Sequence, residues 1–225
     1  MAIDRSQLPH DGPSPQAPPL LFSAACERNR VPLLAVLRRW LPPAARVLEV
    51  GSGSGQHAVF FTQQLEGLVW QPSERAEAMA PLAERISLEG SSQLAAGSGL
   101  HLPLVLDVTQ PQDWPVGPYD AVFSANTAHI MDTGAVAAFL AGSSRVLGPG
   151  GLLLLYGPFC DGGVHTAASN AAFDAHLREL DPAMGVRDAE QLKHQAGNLG
   201  LESVADVAMP AENRTLIWRR RAGAP

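Results

Sequence analysis

Cysteine is scarce in this chain: Cys26 and Cys160 are the only two among 225 residues. Two thiols cannot build a disulfide framework, which fits a reducing compartment. No run of about eighteen apolar residues occurs, so the sequence offers no span of a membrane. Basic residues are not clustered either. The formal net charge is −6, and the one basic run is Arg219-Arg220-Arg221 near the C-terminus. A nucleic-acid duplex is therefore excluded as the main partner, because neutralising phosphates requires grouped Lys and Arg. Met1 to Pro9 lacks the apolar core of a secretory signal. Cys160 and His165 have no second Cys/His pair at zinc spacing, and there is no His-Glu-x-x-His, so no metal is expected. No internal repeat appears. What remains is an ordinary globular composition, 46% hydrophobic and 17% charged, and the expectation of a cytoplasmic protein.

Residues 1–21 hold Pro9, Pro13, Pro15, Pro18 and Pro19 and read as a flexible lead-in; residues 22–221 read as one domain. Leu33, Leu34, Val36, Leu37, Trp40 and Leu41 recur at helical spacing, predicting a helix that starts around Cys26–Arg30 and stops at Pro42-Pro43. Pro32 suits that helix only in its first turn. Apolar runs then alternate with helical stretches. Strands are predicted over Arg46–Val50, Leu68–Pro72, Leu102–Leu106, Tyr119–Ser124 and Leu152–Tyr156. Helices are predicted over Gln56–Gln64, Ala76–Leu88 and Gly134–Leu147. That alternation implies a parallel sheet covered on both faces. Gly157 to Ala168 reads as a long loop, Ser169–Leu180 and Asp188–Leu199 as helices, and Leu201–Val207 with Arg214–Trp218 as an antiparallel pair.

The chain is organised around Arg46-Val47-Leu48-Glu49-Val50-Gly51-Ser52-Gly53-Ser54-Gly55. An apolar run ending in alternate glycines reads as a buried strand that delivers its end to a tight turn. A helix from Gln56 would point its first N–H groups into that turn, the arrangement of a nucleotide pocket. Three carboxylates fall at consecutive strand ends: Glu49, Glu74 and Asp107. Acidic groups suit a ligand that donates hydrogen bonds from hydroxyls and an amine, and suit a triphosphate poorly. The P-loop Lys-Ser/Thr pair is missing after Gly55. Gln56 occupies the position where a dinucleotide fingerprint needs glycine or alanine, which counts against a nicotinamide-dependent oxidoreductase. Gly-x-Ser-x-Gly is absent, which counts against a serine hydrolase.

These features together resemble the class I S-adenosylmethionine-dependent methyltransferases. Glu49 to Gly55 is similar to their first motif, Glu74 to the acidic residue on the ribose, and Asp107-Val108 to the pair beside the adenine. Tyr119 to Asn126 and Arg145 to Gly151 are similar to later landmarks of that class. The resemblance implies a doubly wound α/β sheet in the order 3-2-1-4-5-7-6, with the seventh strand antiparallel, and S-adenosyl-L-methionine as cofactor. Cys26-Glu27-Arg28-Asn29, Gln71-Pro72-Ser73-Glu74, Tyr156-Gly157-Pro158-Phe159, Gly163-Val164-His165-Thr166 and Met209-Pro210-Ala211-Glu212-Asn213 further resemble one methyltransferase-like family of unassigned function, with bacterial and animal members. Position 74 departs from that family's aspartate, but the longer carboxylate still reaches a diol.

The expected cofactor-binding residues are therefore Arg28, Glu49, Gly51, Ser52, Gly53, Gly55, Glu74, Asp107, Val108 and Asn126, with Arg28 set to hold a carboxylate. Trp70 and Trp114 are candidates to wall the adenine. His129, Tyr156 and His165 are candidate bases or acceptor-orienting groups, each balanced by an ordinary packing role. His57, at a helix N-terminus, is expected to be neutral and hydrogen-bonding. Asn126 is followed by Thr127 and Ala128 rather than the Pro-Pro-aromatic of nucleic-acid amine methyltransferases, so the acceptor is expected to be a small molecule or a protein. A module that holds the donor without turnover is the alternative reading.

Overall fold

The computed structural model describes residues 20–223; the proline-rich lead lies almost wholly outside them. In chain order the elements are α1 (Ala24–Trp40), β1 (Arg46–Val50), α2 (Gln56–Gln64), β2 (Val69–Glu74) and α3 (Met79–Glu89, after a 3₁₀ turn at Ala76–Ala78). Next come β3 (Gly99–Leu100), β4 (Leu104–Val105), β5 (Tyr119–Ala125), α4 (Thr133–Val146) and β6 (Leu147–Gly157). The last part holds β7 (Phe159–Asp161), β8 (Val164–His165), α5 (Ala168–Leu180), β9 (Arg187–Asp188), α6 (Ala189–Asn198), β10 (Leu201–Met209) and β11 (Asn213–Arg220).

The main sheet runs β10-β11-β6-β5-β1-β2-β3, with β4 continuing the β3 edge. β1, β2, β5 and β6 are parallel, and β11 runs antiparallel to both β6 and β10. This is the doubly wound order expected from the sequence. Strand residues alternate between the two faces. Val47, Trp70, Ala121, Phe123 and Leu154 pack beneath α1 and α2. Leu48, Val50, Val122, Leu153 and Leu155 pack with α4 and α6.

Three expectations need correction. The third strand is not continuous over Leu102–Leu106 but two short ladders, one on each side of Pro103. The reason lies in β2. The Leu68 carbonyl just before it and its own Trp70 and Glu74 carbonyls accept from the third strand, so Pro72 turns towards the same edge with no N–H to offer. The Gln71 amide fills the gap, donating to Pro72 O at 3.0 Å and Leu102 O at 2.8 Å. Secondly, the stretch from Gly157 is not a long loop. β7 and β8 form a hairpin across Gly162-Gly163, both at positive φ, as a two-residue mirror-image turn requires. Thirdly, Pro32 sits in the third turn of α1, not the first. A mid-helix proline costs about 3 kcal/mol, and burial of Leu33, Leu34, Val36 and Leu37 on the sheet offsets it.

Candidate functional site

A cleft of about 960 Å³ opens at the C-terminal ends of β1, β2, β4 and β5, where open α/β sheets bind ligands. Gly51 and Gly53 both have positive φ. A Cβ on Gly51 would lie 2.6 Å from Thr127 Cγ2, whereas one on Gly53 would meet no protein atom within 4 Å. The first glycine thus lets two loops touch, and the second leaves the space to a ligand. Serine side chains pin the strand ends beneath the turn. Ser73 Oγ donates to Glu49 O at 2.6 Å, Ser124 Oγ to Val50 O at 2.7 Å, and Ser73 N to Ser52 Oγ at 3.1 Å.

The carboxylates divide by environment. Glu74 lies open in the cleft, accepting from Gly53 N at 2.8 Å and Arg75 N at 2.9 Å. Asp107 accepts from the Thr109 hydroxyl at 2.7 Å and its N–H at 2.9 Å, and those bonds hold its carboxyl below the usual carboxylate range. Glu49 does not line the cleft. It is fully buried behind the turn, accepting from Trp70 Nε1 at 2.9 Å, and burial pushes it up to about 7. Gly55 also stands back, as the left-handed N-cap of α2. Gly51, Ser52, Gly53, Glu74, Asp107, Val108, Asn126 and Arg28 all line the cleft. Arg28 has no ion-pair partner among the described residues.

Neither tryptophan forms a wall of the cleft. Trp70 is fully buried against Phe61 and Phe123. Trp114 lies against Gly142 and donates to Val108 O at 3.1 Å, steadying Val108 from behind.

The candidate bases separate as well. His129 lines the cleft; Tyr156 and His165 do not. Tyr156 is buried under α1, and burial raises its hydroxyl pKa. His165 sits on the β7–β8 hairpin with Nε2 3.4 Å from Asp174, in a separate pocket shared with Cys160 and Arg178. His129 is nearly buried, edge-on to Phe173 at 5.2 Å, and burial, helped by Arg187, lowers its pKa to about 4. Its ring lines the cleft, and among the described residues no protein group hydrogen-bonds it. His57 is neutral for the same reason, lowered to about 4 by burial. Its Nε2–H donates to Asn29 Oδ1 at 2.7 Å.

Two supports left no pattern in the sequence. Arg85, buried on α3, donates to Ser54 O at 2.7 Å and Leu21 O at 2.8 Å, while Gln56 bonds both the N–H and the carbonyl of Ser23. Together they fasten the start of α1 to the glycine turn. Arg187 donates to Ala128 O at 3.0 Å, to Ala183 O at 2.7 Å and to Met131 O, and Gly185 N donates to His129 O. This clamp fixes the loop that carries His129. Arg187→Met is expected to cost about 1–3 kcal/mol in urea unfolding and to raise the His129 titration midpoint followed by NMR. An unchanged midpoint would show that the guanidinium does not act on the imidazole.

Solved structures with this architecture include an O-methyltransferase family protein from Burkholderia thailandensis, with TM-score 0.72 and 15% identity over 88% of this chain and 58% of that one. The S-adenosylmethionine-dependent methyltransferase SibL gives 0.70 and 20% over 88% and 56%. The mitomycin 7-O-methyltransferase MmcR gives 0.70 and 18% over 88% and 55%. The chain spans under three-fifths of the length of each. At such identities the likeness shows the fold, that of the class I S-adenosylmethionine-dependent methyltransferases. No helix among the described residues is long and apolar enough to cross a membrane. Residues 21–220 match the family described as "Protein of unknown function (DUF938)", and the chain belongs to that family.

Proposed function

We propose that the protein is an S-adenosyl-L-methionine-dependent methyltransferase acting on a hydroxyl of a small molecule. The observation that carries the donor assignment is the Glu74 carboxylate on the Gly53 N–H. A dinucleotide would need that N–H for its pyrophosphate, and the carboxylate would repel the phosphate. A ribose diol and a cationic donor are instead attracted by it. Asp107 and Val108 stand where an adenine amine and ring would lie, and unpaired Arg28 suits the donor's carboxylate.

When bound, S-adenosyl-L-methionine would supply an electrophilic methyl to an acceptor oxygen, with its thioether as the leaving group. The chain's own residues then have three tasks. The glycine turn, Glu74 and Arg28 hold the donor in line, a contribution of roughly 7–11 kcal/mol where orientation is good. The start of α1 helps to keep water out. His129, neutral in the fold, accepts the hydroxyl proton on a ring nitrogen as the new C–O bond forms, and passes it to solvent afterwards.

Calorimetric titration tests the reading. S-adenosylmethionine and S-adenosylhomocysteine are expected to bind and NAD is not; NAD binding with neither adenosyl compound would overturn it. Donor binding without transfer to any hydroxyl would leave a binding module.

A further inference from the structure

Resting on the donor reading above, we infer that the acceptor half of the cleft takes an uncharged, flat aromatic compound and orients its hydroxyl towards His129. That half is formed by the loop after β5, by α5 and by residues 181–184. Apolar Ile130, Met131, Phe173 and Met184 line it together with His129, interspersed with polar groups such as Asn170. Ile130, in the turn after β5, is 51% exposed, and Phe173, on α5, is 37% exposed. Isolated exposed apolar residues need no explanation, but these share one concave wall with a neutral imidazole. Phe173 packs edge-on against that imidazole, so an aromatic face and the imidazole sit side by side on the wall. Methionine sulfurs make favourable contacts with aromatic ring edges, and their flexible stems adapt to varied ring outlines.

The charges narrow the class further. The cations that line the cleft are Arg28 on α1 and Arg75 after β2, and Arg75 is already paired with Glu77. Among the described residues the acceptor wall carries no Lys or Arg, so a carboxylate or phosphate acceptor would meet no counter-ion from them. Its carboxylates, Asp132 and Asp181, accept from Ala135 N and Ala183 N. They would favour an amine in its protonated form, which has no lone pair to attack with. A phenolic hydroxyl is neutral on arrival and becomes acidic only as the bond to carbon forms. It needs an acceptor at that moment, and the unpartnered imidazole is one.

The test uses 2-naphthol, 2-naphthoate and 2-naphthylmethylamine, which share a ring system and differ in charge. Binding is followed by fluorescence at saturating S-adenosylhomocysteine. 2-Naphthol is expected to bind at least about tenfold more tightly than either ion, and Phe173→Ala to weaken it about tenfold while S-adenosylhomocysteine affinity stays unchanged. Equal or tighter binding of naphthoate or the amine, no binding of any of the three at millimolar concentration, or a Phe173→Ala variant with unchanged naphthol affinity would each overturn the acceptor class. All of these leave the donor site standing. Failure of S-adenosylhomocysteine itself to bind would remove the donor reading and this inference with it.

Discussion

A Gly53→Val variant is expected to fold and yet to bind S-adenosylhomocysteine more than about 100-fold more weakly, a loss of roughly 2.7 kcal/mol. Gly53 sits at φ +55, so a β-branched residue there costs about 1–3 kcal/mol of stability, which a thermal melt reads apart from affinity. The new side chain would meet no protein atom near its Cβ, so the volume it fills belongs to the cleft. Gly51→Ala provides the contrast. Its Cβ would fall 2.6 Å from Thr127 Cγ2, so its loss of affinity comes from displaced protein rather than from filled ligand space, with a larger fall in the unfolding midpoint. A calorimetric titration beside a thermal melt separates the two, and unchanged affinity in Gly53→Val would mean that the ligand lies elsewhere.

The second large effect is on stability against pH. His57 and His129 have folded values of about 4 against 6.5 in the open chain. The fold prefers their neutral forms, so their contribution is complete above pH 6.5 and is lost as pH falls towards 4. Glu49 runs the other way, at about 7 against 4.5. Its contribution is complete below 4.5 and is lost as pH rises through 7. Each separation corresponds to roughly 3 kcal/mol. From pH 8 to pH 4 the two histidines therefore outweigh the one carboxyl, and a net loss of about 3 kcal/mol is expected in urea unfolding. Glu49→Gln keeps an acceptor for Trp70 Nε1 and removes the titration. It should be more stable than the parent by up to about 3 kcal/mol at pH 8 and no different at pH 4. A variant no more stable at pH 8 would show that Glu49 is not buried as an acid.

Much of this was readable from residues alone, for a physical reason. The parallel core strands are mostly apolar because both faces are buried, and β1 and β6 each run into a glycine. The glycine turn with Glu74 and Asp107 is local in sequence, so spacing alone brings those groups to one edge. The misread parts depend on contacts between distant residues. Pro72 breaks the third strand only because its bare nitrogen faces that edge. Tyr156 ends a strand at the correct height, but α1 covers it. His165 turns away with its hairpin towards Asp174. Arg85 and Arg187 do their work through backbone carbonyls, and a carbonyl leaves no mark in an amino-acid sequence. Pro103 and Gly162-Gly163 were the available signals for the broken edge strand and the hairpin.

The place of β11 has a consequence for how the chain comes off the ribosome. This late segment, residues 213–220, is not a rim strand but is inserted between β6 and β10. Until it emerges, Leu152 to Leu155 lie along an unpaired edge, the kind of surface on which nascent chains associate with one another. A product cut short anywhere before Asn213 would lack an interior strand, and should be recovered as aggregate rather than as a smaller folded protein.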